Sequence, residues 1–169
     1  MNRSNIILSI TFALIVLFQI IVFNKMNLLG FVNPMIYLLF LVIYPFDSEQ
    51  TLFILFCFLL GFSIDFLSQS GGAHTIATLT ISFLRPIIIK NSYGIVSEIP
   101  NSFQNDIRIF NKYLFLSVLI GLHHLLYFVI LYFNWSAIQL ILKNAILTFV
   151  FSLILISLLA RFFKKINDS

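Results

Sequence analysis

Charged residues are scarce in this chain, and their scarcity excludes most soluble folds. Only 9% of the 169 residues are Asp, Glu, Lys or Arg, whereas 60% are hydrophobic. A soluble domain usually carries about 25% charged residues, so water cannot be the solvent for most of this surface. The composition therefore predicts an integral membrane protein built from transmembrane helices.

Cysteine and catalytic motifs are also nearly absent. Cys57 is the single cysteine and lies inside an apolar run, which excludes an intrachain disulfide framework and a cysteine-based metal site. The chain has no glycine-rich phosphate loop, and it lacks the HExxH and GxSxG patterns of hydrolases. We therefore expect no catalytic residues, no cofactor and no bound metal.

The basic residues are spread among predicted loops and helix ends, although the formal net charge is +4. This distribution argues against a nucleic-acid partner. Arg3 precedes the first apolar run, and Arg161, Lys164 and Lys165 follow the last one. Because positive residues resist translocation, both termini are predicted to be cytoplasmic and the number of crossings to be even.

Six apolar segments compete to cross the membrane. A helix rises about 1.5 Å per residue and the hydrocarbon core is about 30 Å thick, so a crossing needs about 18 residues or more. The candidate helices cover residues 5–24, 29–46, 51–68, 73–89, 112–133 and 137–160. The second is the weakest because Asn33-Pro34 interrupts it and Pro45 closes it, which leaves five or six crossings open. The chain is predicted to be one all-α membrane domain with a cytoplasmic loop at 90–111.

Polar and small residues form stripes on three of the predicted helices. Spacings of three and four residues place them on one helix face, and in lipid such residues mark surfaces where helices meet. The stripes are Cys57, Gly61, Asp65 and Ser68; Thr75, Thr78, Ser82 and Arg85; and Asn144, Thr148 and Ser152. We therefore expect the helices over 51–68 and 73–89 to form the packed centre, and the first helix to face lipid.

Asp65 is the leading functional candidate, because a carboxylate inside a membrane is costly and normally faces protein or water. One interpretation gives it a functional role. The other makes it a cap or tertiary contact for the 68–73 turn, which contains Gly71 and Gly72. The sequence leaves both interpretations open.

Arg85 directly precedes Pro86, and a proline inside a helix frees a carbonyl one turn earlier, here near Ser82. One interpretation is that the guanidinium or a hydroxyl satisfies that carbonyl. The other, equally supported by the sequence, is that Arg85 extends toward cytoplasmic phosphates.

His123 and His124 lie near the middle of the fifth predicted helix, where histidines can relay protons or bind metals. Adjacent helical residues point about 100° apart, so the two cannot easily ligate one ion together. His124 aligns with Ser117 and Gly121, which favours a packed helix interface. His74 begins the fourth helix and is expected at the membrane interface.

The stretch from Gly61 to Pro86 resembles the rod shape-determining protein family MreD. That family has a short, all-membrane chain with a glycine before an aspartate on one helix and a glycine-containing turn into the next. Here Gly61, Asp65 and Gly71 or Gly72 fill those places. The resemblance extends to the hydropathy layout and the basic C-terminal tail.

The resemblance implies a non-enzymatic inner-membrane scaffold of the bacterial cell-elongation machinery, which helps organise sidewall peptidoglycan synthesis and maintain cell shape. The expected partners are membrane lipids, an MreC-like protein, a RodA-like glycosyltransferase, a penicillin-binding transpeptidase and an MreB-like actin homologue. The residues expected to contact partners or support the structure are Gly61, Asp65, Gly71, Gly72 and Arg85, followed by Ser82, His123, His124 and Asn144.

Two other classes of function remain open. MreD-like chains are thought to resemble the six-helix substrate-binding subunits of vitamin uptake transporters. Such a carrier needs a polar pocket open to the outside, which Asp65, His74 and the 68–73 turn would line. An intramembrane enzyme would instead require Asp65 to cluster with His123 or His124.

Overall fold

A computed structural model describes the backbone of residues 3–94, 99–103 and 108–167, and the side chains of residues 9–94, 99–103 and 108–161. Within these ranges the chain forms six α-helices and no β-strand, which confirms the predicted all-α fold. The helices are α1 (Arg3–Ile21), α2 (Leu38–Ile43), α3 (Gln50–Ser68), α4 (Ala73–Tyr93), α5 (Ile109–Tyr132) and α6 (Ile138–Asn167).

Three stretches of the described chain are long and apolar enough to cross a membrane by length and composition, namely Gln50–Ser68, Ile109–Tyr132 and Trp135–Arg161. Large apolar side chains on the outside of the bundle remain exposed, as at Phe66 and Phe83. An apolar exterior of this kind suits lipid rather than water. The fold is that of a membrane protein.

The helices pack in chain order, with α3 against α4, α4 against α5 and α5 against α6, while α1 packs against α3. Where α1 and α3 end, the side chain of Asn24 donates to the Ser68 hydroxyl at 2.7 Å. We call this the hairpin end, after the α3–α4 turn. The opposite end, where Asn111 donates to the Ser92 carbonyl at 2.7 Å, is the terminal end, because α1 begins there and α6 ends there.

The centre of the bundle is the segment that the sequence marked as the weakest crossing. Residues 29–46 are helical only from Leu38 to Ile43, yet every residue from Met35 to Val42 is at most 4% exposed. Pro34 and Pro45 limit the helix on both sides, and Tyr44 before the second proline is extended, as that position favours. Residues 33–46, the central segment, thus run between the two ends with a short helix in the middle and non-helical backbone on both sides of it.

The prediction that α3 and α4 form the packed centre is therefore wrong in part, because they surround the central segment. An apolar run has no polar face, so its sequence looks the same whether it faces lipid or protein. The polar stripes on α3, α4 and α6 do lie at buried or half-buried positions, as predicted. One face of α1 is exposed, including Leu17 and Ile21, and its opposite face packs inward through Ile15 and Val16.

The predicted 90–111 loop is shorter than expected, because α4 continues to Tyr93 and α5 already begins at Ile109. Residues 95–98 and 104–107 of that loop lie outside the described ranges, as do the side chains of Arg3, Lys164 and Lys165. The described part includes Phe103, which is buried, and Asn101, whose carbonyl accepts from Phe46 N at 2.7 Å. This connection therefore packs against the end of the central segment.

Helices α3 and α4 approach each other most closely at Gly61. A Cβ atom at this position would lie 2.6 Å from Thr75 Cα and 3.0 Å from the His74 carbonyl oxygen. Both neighbours are backbone atoms, which cannot move aside without shifting the whole helix. Glycine is therefore required for the α3–α4 contact.

We expect Gly61→Ala to destabilise the fold by about 1–3 kcal/mol, the usual range for overpacking. The matched control is Gly121→Ala in α5, because a Cβ there would meet only the Phe149 side chain, at 3.6 Å. Reversible unfolding of both variants in detergent micelles measures the difference. Equal stabilities of the two variants would contradict the close contact at Gly61.

Candidate functional site

Asp65 caps the N-terminus of α4. One carboxylate oxygen accepts from the Ser70 hydroxyl at 2.5 Å and from His74 N at 3.2 Å, and the other accepts from Thr75 N at 2.7 Å and its hydroxyl at 2.5 Å. The first amides of a helix lack helical partners, and a negative charge there is favourable. The geometry therefore matches the capping interpretation of Asp65, and its carboxylate is used inside the fold.

The turn that follows Asp65 depends on backbone conformations that favour glycine. Gly71 and Gly72 have φ angles of 70° and 92°, and Gln69 ends α3 in a left-handed conformation with a φ of 55°. A Cβ atom at either glycine would meet nothing within 4 Å, so the constraint is conformational rather than steric crowding. These glycines hold the turn in the shape that brings Ser70 and α4 to Asp65.

The carbonyl freed by Pro86 is satisfied by a residue that sequence reasoning did not consider. The Ser82 carbonyl accepts from the side-chain amide of Gln50, at the start of α3, at 2.9 Å. The Ser82 hydroxyl instead donates to the Leu79 carbonyl at 2.7 Å. The expectation that Arg85 or a hydroxyl would satisfy this carbonyl is therefore wrong.

Arg85 turns into the bundle rather than toward the membrane surface, so the alternative that it extends toward cytoplasmic phosphates is also wrong. It is 3% exposed and donates to the carbonyls of Tyr44 and Pro45, the latter at 3.4 Å. Its guanidinium carbon lies 4.4 Å from the ring centroid of Phe53 and 5.0 Å from that of Phe46. Arg85 therefore attaches α4 to the terminal end of the central segment.

Tyr37 joins two histidines in the interior of the bundle. Its hydroxyl oxygen lies 2.9 Å from His74 Nδ1 and 3.0 Å from His123 Nε2. Tyr37 and His123 are fully buried, and His74 is 5% exposed. A hydroxyl has one proton, so it donates to at most one of the two rings, and at least one of the two ring nitrogens must carry a proton. This cluster joins α4, α5 and the central segment.

His124 lies at the α5–α6 interface, as its alignment with Ser117 and Gly121 predicted. Its Nδ1 donates to the Ile120 carbonyl at 2.8 Å, which leaves Nε2 to accept from the Ser152 hydroxyl at 3.1 Å. The same Ser152 oxygen accepts from Met35 N at 2.9 Å. His124 thereby orients the Ser152 hydroxyl, whose oxygen accepts the hydrogen bond from the Met35 amide of the central segment.

Gln19 of α1 performs a similar role from the other side. Its side-chain oxygen accepts from Tyr37 N at 3.1 Å, and its amide donates to the Pro34 carbonyl at 3.0 Å. Side chains of α1, α4 and α6 thus supply the hydrogen bonds that the non-helical backbone lacks.

Asn144 lies apart from these groups, because it donates to the Tyr132 hydroxyl at 2.7 Å near the hairpin end.

Among the contacts of the described residues, Asp65 bonds to neither His123 nor His124. The structure instead brings His74 and Tyr37 to His123. Sequence reasoning placed His74 at the membrane interface and did not consider Tyr37, because neither residue lies near His123 in the chain. The described residues contain no group of three or more His, Cys, Asp or Glu placed to hold a metal ion.

No family model, curated protein or solved structure matches this chain. The MreD resemblance therefore depends on the residues from Gly61 to Pro86 and on the overall hydropathy.

We expect Tyr37→Phe to destabilise the protein by about 1–3 kcal/mol, because it leaves the buried His74 Nδ1 without its partner and leaves His123 Nε2 with only the longer contact to the Thr78 hydroxyl, at 3.4 Å. Tyr113→Phe is the matched control, since among the described residues that hydroxyl hydrogen-bonds only to the exposed Arg161, at 3.0 Å. Unfolding in detergent measures both variants. A Tyr37 variant as stable as the control would show that the cluster contributes little.

Proposed function

We propose that this chain is a non-enzymatic scaffold of the MreD type, located in the bacterial inner membrane. In this role it helps organise the cell-elongation machinery, and hence sidewall peptidoglycan synthesis and cell shape. The observation that carries the proposal is that the polar stripes are used inside the bundle, while the outside is apolar. A bundle of this kind meets membrane partners through its helix faces.

The residues that carry the resemblance also act as one structural unit, which supports the proposal. Gly61 permits the close α3–α4 contact, Asp65 caps α4, and Gly71 and Gly72 shape the turn between them. A motif whose members depend on one another in this way is more specific than a chance match of composition. The α3–α4 hairpin is therefore the most informative part of the likeness.

The distribution of positive charge supports the proposed orientation. Lys25 and Lys143 lie toward the hairpin end, whereas the other Lys and Arg residues lie toward the terminal end. Because positive residues resist translocation, the terminal end belongs in the cytoplasm. An MreB-like partner would then approach the terminal end, and the membrane partners would contact the helix faces.

The outward face of α3 offers one such surface. Phe58, Phe62 and Phe66 follow one another at steps of four, with adjacent ring centroids 5.8 Å and 6.2 Å apart and nearly parallel rings. All three are exposed, Phe66 to 72%. Helix association in lipid depends on van der Waals packing, so this phenylalanine ridge is the face we propose for a partner helix.

Photocrosslinking in native membranes tests the proposal. A photoreactive residue at Phe62 is expected to capture a component of the elongation machinery, identified by mass spectrometry after gentle extraction of the tagged chain. The same residue at Ile154, on the exposed face of α6, is the control for non-specific capture. Recovery of an ATPase-driven uptake partner in place of elongation proteins would overturn the scaffold and favour a carrier.

Asp65→Ala is expected to leave membrane insertion intact, to destabilise the α3–α4 hairpin by about 0.5–2 kcal/mol as for a lost helix cap, and to lower the recovery of elongation partners. Asp47→Ala is the matched control, because Asp47 is exposed and lies outside the hairpin. Thermal unfolding and quantitative co-purification measure the two effects. Unchanged stability together with unchanged partner recovery would contradict the proposed role of the hairpin.

A further inference from the structure

A cavity of about 350 Å³ opens at the hairpin end, beside the α3–α4 turn. Ligand pockets in proteins commonly have volumes of about 300–1,000 Å³, so its size suits a small group rather than a single water molecule. Both polar and apolar side chains line it. The proposed scaffold function makes no use of this cavity.

Several polar side chains around the cavity retain unused hydrogen-bonding capacity. The His74 side chain is 5% exposed, and its Nδ1 contacts the Tyr37 hydroxyl. Its Nε2 has no hydrogen-bond partner in the described part of the chain. The Tyr127 hydroxyl and the Lys25 ammonium likewise bond to no described residue. Asn33 accepts from Asn27 N through its side-chain oxygen, which leaves its amide protons available. These four side chains all line the cavity.

The charge of the cavity favours an anion. Lys25 contributes a positive charge, and no acidic residue in the described ranges lines the cavity. The nearby Asp65 already accepts four hydrogen bonds, whereas Asp47 and Glu49 lie at the terminal end. Donors and a cation, with no carboxylate in the lining itself, are the arrangement that recognises an anionic group.

We propose that this cavity binds a phosphate group, carried either by the headgroup of an anionic lipid or by a small soluble phosphate ester. A phosphate presents more acceptor oxygens than a carboxylate, so it matches donors from four side chains better. Ile20 and Leu67 form apolar parts of the lining, and Leu67 is itself 54% exposed on the outside of the bundle. An apolar lining of this kind suits the glycerol and acyl portions of a lipid.

A phosphate bound at His74 Nε2 would determine which atoms carry the protons in the cluster of Tyr37, His74 and His123. A neutral His74 that donates from Nε2 carries no proton on Nδ1, so Tyr37 must donate to it. The Tyr37 oxygen then accepts from His123 Nε2, which leaves His123 Nδ1 as a bare lone pair. His123 Nδ1 has no partner among the described residues, which fits this arrangement. The cavity is thereby coupled to the central segment.

Native mass spectrometry of the full chain tests the proposal with two probes, phosphatidylglycerol and glycerol 3-phosphate, and with phosphatidylcholine as the zwitterionic comparison. We expect Lys25→Gln and Tyr127→Phe each to weaken binding of the favoured probe by about tenfold, the effect of losing one hydrogen bond to a charged group. Lys143→Gln is the matched control, since Lys143 lies over the Phe31 ring near the same end but does not line the cavity. Its binding should match that of the unmodified chain.

Retention of phosphatidylglycerol alone identifies a lipid site, whereas retention of glycerol 3-phosphate identifies a soluble ligand. Equal weakening by Lys143→Gln, or no preference over phosphatidylcholine, would overturn the proposal, because surface charge would then explain the binding. Thermal unfolding checks that the variants remain folded. If Lys25→Gln does not fold, Tyr127→Phe alone tests the proposal. Recovery of elongation partners is measured separately, so failure here is distinguishable from failure of the scaffold proposal.

Discussion

The structure depends on one constraint, which is that backbone N–H and C=O groups inside a membrane have no water to bond with. The central segment interrupts its helix at both ends and therefore leaves such groups without helical partners. Side chains on three surrounding helices supply the missing bonds, from Gln19, Ser152 and Arg85. The positions of α1, α4 and α6 around the segment are tied to those bonds, because each helix must present its polar group at the right depth.

The same constraint explains other buried polar residues that a reader of the sequence would take for functional groups. Gln50 satisfies the carbonyl that Pro86 frees, and Asp65 satisfies the first amides of α4. In a soluble protein water would serve many of these groups, but in lipid each needs a side chain of its own. Buried polarity in this fold is thus largely a consequence of irregular backbone, and the hairpin-end cavity is where polar groups with unused hydrogen-bonding capacity come together.

Sequence reasoning predicted the features that depend on local spacing. The steps of three and four residues identified the buried faces of α3, α4 and α6, and Gly61 and Asp65 were recognised as a pair on one face. It did not identify the central segment as the core, because an apolar run carries no signal of what surrounds it. The Tyr37 cluster was also missed, because its two contacts join residues that are separated in sequence by 37 and by 86 positions. Such pairings follow from the packing of whole helices and have no local pattern.

The bond from Met35 N to Ser152 has a consequence for biogenesis. It joins positions 117 residues apart, so the central segment leaves the ribosome long before α6 exists to complete its hydrogen bonds. During synthesis the segment therefore has exposed backbone groups, and a chain arrested before α6 cannot close around it. The last helix thus completes the hydrogen bonding of this segment at Met35 N, and a chain without α6 lacks that bond.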